Sequence, residues 1–224
     1  MKDDVRIPLV VVTGPTASGK TDLAVKIADR FSAEVVSADS RQVYRYMDIG
    51  TAKATAAEQQ AVCHHLIDVV DPDEKFSVAN FSDLAHARIK EIYQRGHLPL
   101  VVGGTGLYIR ALTEGLLDLP GENEALRRQM LADEEQRSGI LYRRLQECDP
   151  QLALRLHPND VTRIVRALEV FDLTGTPLSQ WQLEHGFREQ PYRVIKIAVS
   201  MDRVELYERI NRRVLQMMDQ GLVV

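Results

Sequence analysis

The chain has 224 residues, 45% of them hydrophobic, and a formal net charge of −4. That length suits one domain, or one domain carrying an insertion, with enough chain to bury a sizeable core. The acidic balance excludes a protein that coats nucleic acid by charge alone, and no apolar run is long enough to span a membrane or to act as a leader.

In chain order, a buried strand is expected over 7–13, where Leu9-Val10-Val11-Val12 runs unbroken into "GPTASGKT". The spacing of Gly14, Pro15, Thr16, Ala17, Ser18, Gly19, Lys20 and Thr21 is the P-loop pattern. Glycines let backbone N–H groups curl round an anion such as the phosphates of ATP, Lys20 reaches the outer phosphate, and the Thr21 hydroxyl is placed to ligate Mg²⁺. A helix over 19–31 follows, with Leu23, Ala24, Ile27, Ala28 and Phe31 on one face. Strands are expected over 34–38, 65–70 and 98–103, and helices over 80–95 and 105–114. The 80–95 helix is the clearest, with Phe81, Leu84, Ala85, Ile89 and Ile92 on one face and Arg95-Gly96 as its stop. Adjacent His64 and His65 fall on opposite faces of a strand, which favours packing over metal binding. Cys63 and Cys148 lack metal or redox spacing, so a reducing, cytoplasmic setting is expected.

Strands alternating with helices imply an α/β fold: a P-loop parallel sheet covered by helices on both faces. Ligands gather at the carboxyl ends of such strands. Those ends are the P-loop, Asp39-Ser40 and Gly103-Gly104-Thr105. From 120 to 190 helical periodicity takes over, with helices over 123–137, 139–147, 150–156, 160–173 and 177–185, so an all-helical insertion domain is expected there. A strand over 192–199 and a helix over 202–220 return the chain to the core, which then comprises 1–119 and 191–224. The chain stops at Gly221-Leu222-Val223-Val224 directly after a helix, and a natural C-terminal part beyond 224 is expected.

Between Lys90 and Lys196 every strongly basic residue is arginine. Arginine forks onto phosphates and stacks on bases; a codon bias of the organism would give the same pattern. In the 160–173 helix, Val161, Ile164, Val165, Leu168 and Phe171 form the apolar face, and Thr162, Arg163 and Arg166 project opposite.

An NTP-hydrolysing P-loop protein needs a second acid at the end of another apolar strand. Here that strand ends in "GGTGLY", glycines and a hydroxyl, and no guanine-reading Asn-Lys-x-Asp occurs. The loop grips a phosphate without evident hydrolytic machinery, and the nearest acid is Asp39.

"GPTASGKT", "SADSRQVYRYMDIGTAK", "HHLID", "VVGGTGLYIRAL" and "HPNDVTRIVRALEV", in this order, closely resemble the tRNA dimethylallyltransferase (tRNA isopentenyltransferase) family over nearly the whole chain. The resemblance implies transfer of the dimethylallyl group from dimethylallyl diphosphate to the exocyclic amine of the adenosine 3′-adjacent to the anticodon of tRNA. It implies Mg²⁺ as cofactor, a cytoplasmic enzyme without membrane association, and the anticodon stem-loop as partner. A monomer is expected.

On that reading the gripped phosphate is a diphosphate leaving group, held by residues 14–21 and by Arg213. Lys20, Asp39 and Thr105 are the catalytic set, with Asp39 taking the amine proton as general base. Alternatively, Asp39 is an outer-sphere Mg²⁺ ligand or a helix cap, and Thr105 merely caps the next helix. The adenine must be flipped into the pocket. The resemblance places Asp39, Ser40, Arg41, Gln42 and Thr105 at that nucleotide, and an amide such as Gln42 pairs with adenine's edge. It also places Arg127, Thr162, Arg163, Ile164, Val165 and Arg166 against tRNA. Two other classes remain: a small-metabolite or nucleoside kinase using Asp39 to activate a hydroxyl, and an RNA-binding adaptor that transfers nothing.

Overall fold

The computed structural model describes residues 6–223. Positions 1–5 and 224, included in the expected core, lie outside the described residues. The described chain divides into two compact units, 1–116 with 189–224 and 117–188.

The first unit is built on β1 (Ile7–Thr13), β2 (Ala33–Ser37), β3 (His64–His65), β4 (Leu98–Gly103) and β5 (Tyr192–Ala198), with α1 (Lys20–Phe31), α2 (Ala56–Ala61), α3 (Val78–Gln94), α4 (Gly106–Glu114) and, at its end, a long helix over Arg203–Asp219. All five strands run parallel in the order β3-β2-β4-β1-β5. Side chains alternate across a strand, and each central strand is apolar on both faces. Leu9, Val11, Val36 and Val101 point to one side, where they meet Phe81, Ala85, Ile89 and Ile92 of α3 and Tyr108, Ile109 and Leu112 of α4. Val10, Val12, Val35 and Leu100 point to the other and pack on Ala24 and Ala28 of α1. The sheet is therefore covered on both faces.

Two sequence expectations are corrected here. The strand expected over 65–70 is confined to His64–His65, because Leu66 and Asp68 adopt positive φ of 62° and 55°, which breaks the extended backbone. Helix α2 was not expected. Its sequence, AAEQQA, buries nothing and so carries no apolar period, and a capping box between Thr55 and Glu58 starts it.

The second unit is all helical. It comprises α5 (Glu124–Gln136), α6 (Ile140–Cys148), α7 (Pro150–Ala153), α8 (Val161–Thr174) and α9 (Leu178–His185), which makes the Arg203–Asp219 helix α10. Met130, Leu141, Leu145, Leu152, Ile164, Val165 and Leu168 form its core.

Candidate active site

The carboxyl ends of β1, β2 and β4 lie side by side, and their loops face one cleft of about 1110 Å³. Each loop is shaped by a local requirement. Gly19 sits at φ +90° as the N-cap of α1, a left-handed conformation that ends the 14–19 turn and starts the helix. At the end of β4, a Cβ on Gly103 would lie 2.1 Å from the Ala38 carbonyl oxygen, so only glycine lets the β2 and β4 loops approach this closely.

Lys20, the first residue of α1, reaches back so that its Nζ donates to the carbonyls of Gly14 (3.0 Å) and Pro15 (2.7 Å). Burial pulls the Lys20 pKa below the ordinary lysine value; Asp39 opposes that shift and Arg213 adds to it. Burial likewise lowers the Arg213 pKa, against Asp39 and Glu58. Two partly desolvated cations, from α1 and α10, thus line the same cleft as one carboxylate. Like charges held close and partly dry are costly unless an anion joins them. The Ser18 hydroxyl in the same loop is buried and without a hydrogen-bond partner among the described residues.

Asp39 follows β2 and is held as an Asx turn. Its Oδ1 accepts from the backbone N–H of Arg41 (2.8 Å) and Gln42 (3.3 Å). This fixes the carboxylate at the rim, facing the cleft that Thr16, Thr21 and Arg41 also line. Thr105 occupies the N-cap position of α4, yet its hydroxyl makes no capping bond. Instead Oγ1 accepts from the Ser40 N–H at 3.0 Å. The alternative of Thr105 as a helix cap is therefore corrected.

Gln42 is also placed differently from expectation. Its Oε1 accepts from Ser37 Oγ (3.2 Å), and its Nε2 donates to the carbonyls of Thr51 (3.4 Å) and Ala52 (3.2 Å). The amide expected to pair with adenine is engaged at both ends in holding the loop before α2. Beside it lies a residue that sequence reasoning left without a role. Lys53, with a side chain only 5% exposed, donates to Asp48 and Asp68 at 2.5 Å each and to the Tyr44 carbonyl at 2.9 Å. It ties "DIGTAK" to "HHLID", and all three charged residues line the cleft. The signal was a lysine inside a run of small residues, opposite two nearby aspartates.

The donor set suits a hard divalent cation. The Thr21 hydroxyl and the Asp39 carboxylate line one cleft, and oxygen ligands of this kind are those Mg²⁺ takes, with water and phosphate oxygens completing its shell.

In the second unit, the residues expected to meet tRNA are dispersed. Thr162 and Arg163 are exposed, and Arg163 pairs with Asp160 at 3.0 Å. Ile164 and Val165 are core residues, 1% and 4% exposed, so their side chains offer no docking surface. Arg127 and Arg166 are partly buried rather than free in solvent. Both turn onto Glu169, which is fully buried: Arg127 donates through Nε and Nη2 at 2.8 Å each, and Arg166 through Nη1 at 2.5 Å. The Asn123 N–H adds a fourth bond at 2.7 Å.

A cleft at the strand ends, lined by Lys20, Arg213 and Asp39, defines an α/β protein able to receive an anion. Comparison with known proteins narrows this class. The family model described as IPP transferase matches residues 42–224, and that described as isopentenyl transferase matches 7–71. The tRNA dimethylallyltransferase 1 of Syntrophotalea carbinolica is 55% identical over 221 residues, 98% of this chain and 70% of that protein. Among solved structures, the full-length tRNA isopentenylpyrophosphate transferase from Bacillus halodurans is 46% identical with a TM-score of 0.64, covering 96% of this chain and 67% of that one. A eukaryotic dimethylallyltransferase acting on tRNA is 30% identical with a TM-score of 0.81, covering 96% of this chain and 54% of that one. The chain belongs to the tRNA dimethylallyltransferases, the IPP transferase family.

Proposed function

We propose that this chain transfers the dimethylallyl group of dimethylallyl diphosphate to the exocyclic amine of the adenosine 3′-adjacent to the anticodon of tRNA, releasing diphosphate. The observation that carries this reading is that Lys20, Arg213 and Asp39 line one cleft with the loop of residues 16–21. The two cations and the amides of residues 14–19 receive the diphosphate. Their charge stabilises the oxyanion that develops as the carbon–oxygen bond breaks. With the donor bound, Lys20 exchanges its loop carbonyls for phosphate oxygens. The Thr21 hydroxyl would hold Mg²⁺, which when bound would supply further charge neutralisation of the leaving group.

The amine nitrogen forms its new bond to the allylic carbon, and the bonding pair of the carbon–oxygen bond leaves with diphosphate. The amine proton passes to Asp39, whose Oδ1 is fixed by two backbone donors so that the carboxylate holds one orientation. Thr105 keeps Ser40, and through it Asp39, at the rim. Lys53 and Gln42 brace the opposite wall. Arg41 lines the cleft and meets the flipped nucleotide, while Thr162 and Arg163 supply an RNA-facing surface on the helical unit. The enzyme acts as a monomer in the cytoplasm.

The test is to supply donor carrying an isotopic label in its prenyl group, together with Mg²⁺ and unmodified tRNA. Label should appear in the tRNA and diphosphate in solution. Diphosphate or prenyl alcohol formed equally without tRNA, with no label in the RNA, would contradict the proposal.

A further inference from the structure

At the amino ends of the same strands, remote from the cleft, lies a second cluster that the transfer reaction does not use. Cys63, just before the edge strand and bonded through its carbonyl to the Val35 N–H, and His65 within that strand stand two residues apart, and so project to the same face of the sheet. The next strand pairs with them in register, Val35 with His64 and Val36 with His65, which puts Glu34 on that face too. The three donor atoms converge. Cys63 Sγ lies 3.5 Å from His65 Nε2, His65 Nε2 lies 2.6 Å from Glu34 Oε2, and all three fall within 4.8 Å of one another. His97, just before β4, reaches the other carboxylate oxygen, with Nδ1 at 2.7 Å from Glu34 Oε1. Glu34 is the second residue of β2 whereas Asp39 lies two residues past its end, and the strand between Glu34 and Ser37 alone spans roughly 10 Å at the rise of a parallel strand.

We propose that Glu34, Cys63 and His65 form a binding site for a borderline-soft divalent cation of the Zn²⁺ class, with His97 or water as fourth ligand. The donor types argue for that class: one thiolate, one imidazole nitrogen and one carboxylate oxygen form a mixed set that Zn²⁺ accepts, whereas Mg²⁺ and Ca²⁺ take oxygen alone. The spacing fits as well. Ligand bonds of about 2.0–2.3 Å in a tetrahedron place donor atoms some 3.3–3.8 Å apart, as the sulfur and imidazole already are, and the carboxylate need only move back by less than about 1 Å.

One competing contact must yield. Arg95 forks onto Glu34, Nε to Oε1 at 3.1 Å and Nη2 to Oε2 at 2.7 Å. Its side chain is 46% exposed and ends a helix, so Nη2 can swing into water. Nε can stay on Oε1, where together with His97 it orients the carboxylate whose Oε2 turns to the metal. Binding displaces the thiol proton of Cys63 to solvent, and the resulting thiolate and carboxylate balance the two charges of the cation. Without metal, the same groups form an ion-paired knot that closes the sheet edge.

The test is a Co²⁺ titration of the 224-residue chain, followed by displacement with Zn²⁺. Co²⁺ bound through a thiolate gives a near-ultraviolet sulfur-to-cobalt charge-transfer band. The band should saturate at one equivalent, collapse on adding Zn²⁺, and persist in Cys148→Ser. It should vanish in Cys63→Ser, and His65→Gln should weaken binding by more than the ~10–100-fold typical of losing an outer-shell partner. A wild-type chain with no such band, or a band that survives Cys63→Ser, would overturn the assignment. This outcome is independent of prenyl transfer, which uses none of these residues.

Discussion

The hydroxyl of Thr105 accepts a hydrogen bond from the backbone N–H of Ser40 at 3.0 Å, across 65 residues of sequence. It joins the loop after β4 to the loop after β2, next to the carboxylate of Asp39. The bond positions Ser40 beside Asp39, the proposed base, without Thr105 touching that carboxylate. Thr105→Val keeps the shape and removes the acceptor. A neutral hydrogen bond is worth about 1 kcal/mol, so kcat should fall roughly 3–10-fold with KM for the donor nearly unchanged. Thr105→Ser should restore the rate, which a purely packing role for the threonine methyl would not allow.

Asp39→Asn tests the base itself. The amide keeps the size of the side chain and an acceptor for the Arg41 and Gln42 N–H groups, so the turn should survive. Single-turnover transfer should fall about 10²–10⁴-fold, with tRNA and donor binding within a few-fold of wild type. A sharp loss of donor affinity that extra Mg²⁺ repairs would instead make Asp39 a metal partner.

On the proposed reading, Lys20 should make diphosphate binding sensitive to alkaline pH. Its pKa lies below the ordinary lysine value, chiefly through burial, so it loses its proton earlier than an exposed lysine as pH rises. A depressed lysine pKa means the charged form costs stability in the free protein, and the bound anion recovers that cost. Calorimetric affinity for diphosphate should be highest at neutral pH and fall as pH rises through the Lys20 pKa. Lys20→Ala should bind weakly and lose that alkaline limb.

The buried Glu169 and the exposed Arg163 separate stability from RNA docking. Burial alone would raise the Glu169 pKa, but Arg127, the Asn123 N–H and Arg166 overcome it and leave it lowered. With a folded pKa below the unfolded one, its contribution to stability is present above the ordinary carboxylate range and is lost as pH falls below it. Glu169→Gln removes the buried charge that two guanidinium groups share, although Arg127 keeps Glu122 and Arg166 keeps the Pro120 carbonyl, and should cost about 2–3 kcal/mol in denaturant unfolding. Arg163→Ala should leave stability within about 0.5 kcal/mol yet weaken tRNA binding and flatten its salt dependence by about one released ion. Unchanged tRNA affinity in Arg163→Ala would make that face ordinary solvated surface.

Much of this was legible beforehand because the dominant signals are periodic. Leu9 to Val12 and Leu98 to Val102 read as strands buried on both faces, and the 3.6-residue period of Phe81, Ala85, Ile89 and Ile92 marked α3. What escaped lacks a period or depends on a partner distant in sequence. AAEQQA has no apolar stripe, so α2 was invisible. The helical wheel of 160–173 placed Arg166 away from the main apolar face, but could not show that Glu169 sits in the core and draws Arg127 and Arg166 to it. Gln42 and Thr105 were expected at the site; their bonds to Ser37, Thr51, Ala52 and Ser40 depend on loop conformations that no spacing rule encodes. Glu34 is the same case, since nothing local shows that Cys63 and His65 lie in register beside it.

The most direct measurement is the mass of the nucleosides in tRNA digested after incubation with the chain, dimethylallyl diphosphate and Mg²⁺. Adenosine should gain one dimethylallyl group in place of one hydrogen, at the position 3′ to the anticodon and in no other nucleotide. The Asp39→Asn protein should yield the same product far more slowly. An unmodified digest from a chain that binds both substrates, or a gain in mass equal to a phosphoryl group when ATP is supplied, would contradict the account.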